Sequence, residues 1–130
     1  MQSVKFTDSE MQQYLRDGYV LLQTNLDHEF HETLFGKIKE VFETEGNPGN
    51  NLLPRIPEIG KIFQDKTVSG ALSSVLGEDY FMEPHRHCHY KAPGSDGQEL
   101  HKDSFTRRRH RTRRVLAFYY PQDTTEEMGP

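Results

Sequence analysis

An α+β domain is the fold this chain predicts, helical over residues 1–78 and extended over residues 79–130. Three observations carry that division. Apolar residues recur at helical spacing as far as Gly77. Beyond it, β-favouring residues gather in the short runs Tyr80 to Met82, Pro84 to Tyr90 and Val115 to Tyr120. Between these runs, Pro93-Gly94-Ser95-Asp96-Gly97 has turn chemistry.

Taken in order, Thr7, Asp8 or Ser9 can cap a first helix with Met11, Tyr14 and Leu15 on its apolar side, and Gly18 can end it in the left-handed conformation. Tyr19 to Leu22 then reads as a short strand. Asp27 opens a longer amphipathic helix with Phe30, Leu34, Ile38, Val41 and Phe42 on one face and Gly46 as its stop. The Gly-, Asn- and Pro-rich stretch 46–57 predicts a loop, either a connector or a cover for a pocket. A last helix spans about 66–76, with Ala71, Leu72, Val75 and Leu76 on its apolar face and Gly77 closing it.

With 130 residues and only 33% of them hydrophobic, one domain with a modest core is expected. No apolar run approaches membrane-spanning length, and the opening residues lack the apolar stretch of a secretory signal, so the expectation is a cytoplasmic protein that does not enter a membrane. The single cysteine, Cys88, excludes an internal disulfide and fits a reducing compartment.

The net charge of −4 conceals a strong local asymmetry. Arg107, Arg108, Arg109, Arg111, Arg113 and Arg114 are six of the 16 basic residues. Such a block can bind nucleic acid or another polyanion, but nucleic-acid binders generally carry a basic domain with interleaved aromatics, and this chain is acidic overall. The same arginines can also be a solvated edge paired with carboxylates, or can attract an anionic small-molecule substrate through fork-like hydrogen bonds.

The chemistry concentrates at His101-Lys102-Asp103. A histidine and a carboxylate at i and i+2 of an extended segment point the same way, while Lys102 between them points to the other face. Two such donors can grip one metal ion from one side, as in the 2-His-1-carboxylate triad of non-haem Fe(II) oxygenases. A His–Asp hydrogen bond that only stabilises a turn is the plainer alternative.

From Pro84 onward the chain resembles the phytanoyl-CoA dioxygenase family of Fe(II)/2-oxoglutarate oxygenases. The resemblance rests on Pro84-His85-Arg86-His87, Lys91-Ala92-Pro93-Gly94-Ser95, Gly97-Gln98, His101-Lys102-Asp103, Phe118-Tyr119-Tyr120-Pro121-Gln122-Asp123 and Glu127-Met128-Gly129-Pro130. An opening helix leading into Gly18-Tyr19-Val20-Leu21-Leu22 is similar to the start of such proteins.

The resemblance implies N-terminal helices packed on the first strands of an incomplete double-stranded β-helix, a cupin-like jelly-roll. It also implies Fe(II) held by His101 and Asp103, and 2-oxoglutarate as cosubstrate. His87, Phe118 and Tyr120 are implied as neighbours of that cosubstrate, Tyr120 through its hydroxyl; packing within the sheet or core is the alternative role for all three. Family members continue past the Gly-Pro turn to a second metal histidine and a basic residue for the 2-oxoglutarate carboxylate. No clear candidate for either occurs here, and His110, seven residues past Asp103, departs from the family's ligand order. The expectation is therefore a truncated member with weak metal binding, little or no turnover, and exposed strand edges prone to self-association.

His85, His87 and His89 alternate and so share one face, with Arg86 and Cys88 on the other. A zinc protein built on His85, His87 and Cys88 is a further alternative. Against it, alternate residues on a straight strand lie about 6.6 Å apart, which works against three ligands from one strand meeting at one ion. On the Val115 to Tyr120 run, bulk predicts that Leu116, Phe118 and Tyr120 line the interior.

Overall fold

The computed structural model describes residues 3–101, 103 and 112–128. Helix begins where a side chain can hold the first free amides. Thr7 Oγ1 accepts from the Glu10 amide at 3.3 Å while Glu10 Oε2 accepts from the Thr7 amide at 2.7 Å, a reciprocal cap that starts α1, Asp8–Asp17. Gly18 ends it with φ of 80°, a left-handed value that a Cβ would strain, and returns its N–H to the Tyr14 carbonyl.

Asp27 caps α2, His28–Glu45, by accepting from the Phe30 amide at 2.8 Å. The expected loop 46–57 is partly helical: a 3-10 turn at Gly49–Asn51 leads into α3, Leu52–Arg55. A fourth helix, α4 at Ile59–Gln64, was not signalled by the sequence pattern. It is only six residues long, too short for a helical period to declare itself. Asp65 then turns the chain into α5, Lys66–Leu76, which ends at Gly77 as the pattern predicts.

The core is helical. Leu34 and Ile38 of α2 meet Leu52, Ile56, Ile62 and Val68, with Leu34 and Ile56 each 1% exposed. Phe30, Val41 and Phe42 flank the same cluster, so the apolar stripe read along α2 is the stripe that packs.

The N-terminal segment is held against α5 by two hydrogen bonds, Val4 N–H to the Lys66 carbonyl at 2.9 Å and Phe6 N–H to Ser74 Oγ at 2.9 Å. Gly70 makes this approach possible. A Cβ there would lie 1.8 Å from the Val4 carbonyl oxygen, an overlap that only backbone movement relieves.

The jelly-roll expectation is overturned. Among the described residues no β-strand forms, and 47% of them are helical, so the domain is not α+β. Tyr19 to Leu22 is irregular, as are the runs 80–90 and 115–120. The reason lies in what a strand requires. β-forming residues favour extended backbone, but strand identity comes from a partner ladder, and an isolated pair of strands is marginal in water. Here the extended runs dock onto the helical core through a few side chains, Cys88 and Tyr119 against the core cluster and Tyr90 beside Phe42, with ring centres 5.7 Å apart. The turn between them does form, with Ser95 N–H bonded to the Ala92 carbonyl at 3.1 Å and Gly94 at φ of 75°.

Burial on the 115–120 run is also the reverse of the expected face. Leu116, Phe118 and Tyr120 are 50%, 62% and 67% exposed, whereas Tyr119 packs on the core. Tyr119 is the aromatic of that run whose hydroxyl finds a hydrogen-bond partner against the core, in His31.

Two outcomes test this packing. Gly70→Ala should destabilise the chain by about 1–3 kcal/mol in urea unfolding, the usual cost of forcing extra volume into a filled site; an unchanged midpoint would mean that Val4 does not lie on α5. Asp65→Ala should cost about 2–4 kcal/mol, a lost cap plus stranded donors. Burial raises the Asp65 carboxyl, but hydrogen bonds from Asn25, Thr67 and Val68 outweigh it and hold the group below the ordinary 3.8. Its contribution is therefore complete above about pH 4 and is lost as pH falls through the depressed folded-state value. Asp65→Asn should accordingly unfold with a flatter acid limb.

Candidate functional site

The expected metal pair is assembled by very local geometry. His101 Nδ1 lies 2.8 Å from the Glu99 carbonyl and Nε2 lies 3.0 Å from Asp103 Oδ1. The carbonyl takes the Nδ1 proton and so leaves Nε2 to face the carboxylate, the arrangement by which a backbone oxygen orients a metal-binding imidazole. The Glu99 carbonyl and the nearby Asp103 charge raise the His101 pKa above its ordinary value, favouring a proton where a cation would otherwise bridge the two side chains. Both residues are exposed. Lys102 and the stand-in ligand His110 lie outside the described residues. Among the described residues no group of three His, Cys, Asp or Glu side chains converges as a metal site.

The expected cosubstrate neighbours lie in a different place from that pair's immediate contacts. His87 sits in a row of imidazoles, with ring centres 4.7 Å from His85 and 4.6 Å from His89. Partial burial, then the neighbouring rings His89 and His85, lowers its pKa, so the neutral ring is favoured. Phe118 stands 6.4 Å from His89, ring centre to ring centre, which joins one expected cosubstrate neighbour to the histidine row. Tyr120, on the same run, is exposed.

On the other side of the row, Cys88 packs against the core and burial raises its thiol pKa. The zinc combination of His85, His87 and Cys88 therefore draws on both faces of one segment. The Arg86 amide donates to Asn50 Oδ1 at 3.1 Å, which ties the segment to the turn before α3.

A half-buried relay escaped the sequence reading. His31 of α2 bridges two hydroxyls, with Nδ1 2.7 Å from Tyr119 Oη and Nε2 3.0 Å from Thr24 Oγ1. Burial pushes the Tyr119 phenol up to about 12, so it remains a hydroxyl throughout the neutral range. The contact spans 88 positions in sequence. The only local hint was the placement of His31 one residue after Phe30, at the edge of the apolar stripe.

Of the arginine block, Arg113 and Arg114 are described, and Arg114 is 3.1 Å from Glu83. Arg107 to Arg109 and Arg111 lie outside the described residues. No helix among the described residues is long and apolar enough to cross a membrane. Comparison with family models, curated proteins and solved structures finds no match for this chain.

Removing the phenol hydroxyl tests the relay. Tyr119→Phe should lower stability in urea by about 1 kcal/mol, the net value of a hydrogen bond at a half-buried group. An unchanged midpoint would mean that Tyr119 is not held by His31.

Proposed function

We propose that the chain contributes an Fe(II) half-site of the 2-oxoglutarate-dependent oxygenase type, with His101 and Asp103 as two of the metal's ligands. The observation that supports this reading is the 3.0 Å approach of His101 Nε2 to Asp103 Oδ1, with Nδ1 committed to the Glu99 carbonyl. An imidazole whose far nitrogen is fixed by a backbone oxygen and whose near nitrogen faces a carboxylate is a pre-oriented pair of donors for a divalent ion. Nitrogen and carboxylate oxygen together are also the donor types of the facial triad.

The fit is to two ligands of three, since no third donor joins the pair among the described residues. The reading therefore assigns weak metal capture to this chain, with little or no turnover. Iron with bound 2-oxoglutarate would supply oxygen activation toward a small-molecule substrate. The chain's own residues supply the two donors and the carbonyl that orients one of them. Nucleic-acid or polyanion binding has weaker support, because Arg114 is already paired with Glu83.

Anaerobic calorimetry with Fe(II), with and without 2-oxoglutarate, tests the proposal on the parent chain and on His101→Ala/Asp103→Ala. Weak binding that 2-oxoglutarate strengthens and the double substitution removes is the expected result. Binding that is absent, or indifferent to the substitutions, would end the oxygenase reading.

A further inference from the structure

The histidine row brings the imidazoles of His85, His87 and His89 close to one another. On an extended backbone, alternate residues are about 6.6 Å apart, a spacing that by itself works against their side chains sharing an ion. The rings close the gap by leaning together, so that centres lie 4.7 Å apart for His85 and His87 and 4.6 Å apart for His87 and His89.

Two imidazoles that share an ion must stand at a definite separation. With metal–nitrogen bonds of about 2.0–2.1 Å, a ring centre about 1.1 Å behind its nitrogen and an angle of about 90–110° at the ion, the centres lie about 4.5–5.2 Å apart. Both pairs in the row fall within that window. The rings of His85 and His87 are nearly perpendicular, at 77°, and those of His87 and His89 are inclined by 33°.

The backbone behind the row is anchored. Cys88 packs against the core, and the Arg86 amide is bonded to Asn50. His85 and His89 are exposed, and His87 is half-buried between them. An ion can therefore arrive from solvent and meet rings whose centres already stand near their bound separation, which reduces the ordering cost of binding.

We propose that His85, His87 and His89 form a site for a late first-row divalent ion, held by His87 together with either neighbour and completed by water. His87 belongs to both pairs and is the indispensable ligand. Two imidazoles and water favour Cu(II) over Zn(II) and Ni(II) by the ordinary order of affinities. Cys88, engaged with the core, takes no part.

Titration of the full chain with Cu(II), followed by calorimetry and by low-temperature electron paramagnetic resonance, tests the site. The parent should bind Cu(II) at the row with hyperfine structure from two imidazole nitrogens, besides any ion taken by His101 and Asp103. His87→Ala should weaken binding by at least about tenfold, the scale on which a metal site responds to a lost determinant. His85→Ala and His89→Ala should each weaken it by only about twofold, the statistical loss of one pair of two. The double substitution His85→Ala/His89→Ala should match His87→Ala. His87→Gln, checked for an unchanged far-ultraviolet circular dichroism spectrum, separates loss of a ligand from loss of fold. The His87 comparisons are therefore made in the His101→Ala/Asp103→Ala background, which removes the half-site as a second Cu(II) acceptor and should retain the two-imidazole spectrum, so this site and the iron half-site fail independently. Absence of Cu(II) binding by the parent, absence of a two-imidazole spectrum in the His101→Ala/Asp103→Ala chain, or unaltered binding when a folded His87→Gln change is added to that chain would each overturn the assignment.

Discussion

The carboxylate of Asp65 is where the helical assembly is tied together. It is 8% exposed and accepts hydrogen bonds from two directions: the Asn25 amide and side chain on one side, at 2.8–3.3 Å, and the Thr67 and Val68 amides of α5 on the other, at 2.9 and 3.3 Å. An unpaired charge at this depth would be strongly unfavourable, so its retention depends on those donors. The same bonds bring the connector before α2 against the start of α5 across 40 positions of sequence. They place α2 where Leu34 and Ile38 can meet Ile62 and Val68. Asn25 Nδ2 also reaches Thr67 Oγ1 at 2.9 Å, which closes the junction.

The rest of the chain depends on this helical body as a support. The segment 80–92 contributes Cys88 to the core and the segment 112–120 contributes Tyr119, which His31 and, through it, Thr24 hold by hydrogen bonds. Each run thus lays a few side chains on the helical body, Tyr90 beside Phe42 of α2 among them, and leaves most of its large residues toward solvent. That division accounts for the exposure of Phe81, Leu116, Phe118 and Tyr120. It also accounts for the placement of the chemistry. The histidine row lies opposite Cys88, where its imidazoles are reachable, and the His101–Asp103 pair lies on an exposed stretch that depends mainly on its own neighbouring backbone.

Local signals were legible in the sequence to the extent that local forces create the feature. Thr7 with Glu10, Asp27 with the stripe Phe30, Leu34, Ile38, Val41 and Phe42, and Gly18 and Gly77 all act within one or two helical turns, so the limits of α1, α2 and α5 follow from near neighbours. The approach of His101 to Asp103 is of the same kind, between residues two positions apart in sequence. Features that required distant partners were misread or missed. β-forming composition at 80–90 and 115–120 suggested strands, but pairing is decided by what lies alongside. The choice of Tyr119 over Phe118 as the inward ring followed from the position of His31, 88 residues away.

The amino-acid sequence by itself determined the caps, stops and apolar stripes of the principal helices, the turn at Ala92 to Ser95 and the shared side of His85, His87 and His89, because each arises from interactions between residues close along the chain. Tertiary structure alone decided that the extended runs lie singly on a helical core and do not pair among the described residues, that Asp65 joins Asn25 to α5, and that the imidazoles lean to within 4.7 Å of one another. Those outcomes depend on which surfaces meet across the fold. Backbone preference leaves that choice open, and the competition for a small apolar core settles it.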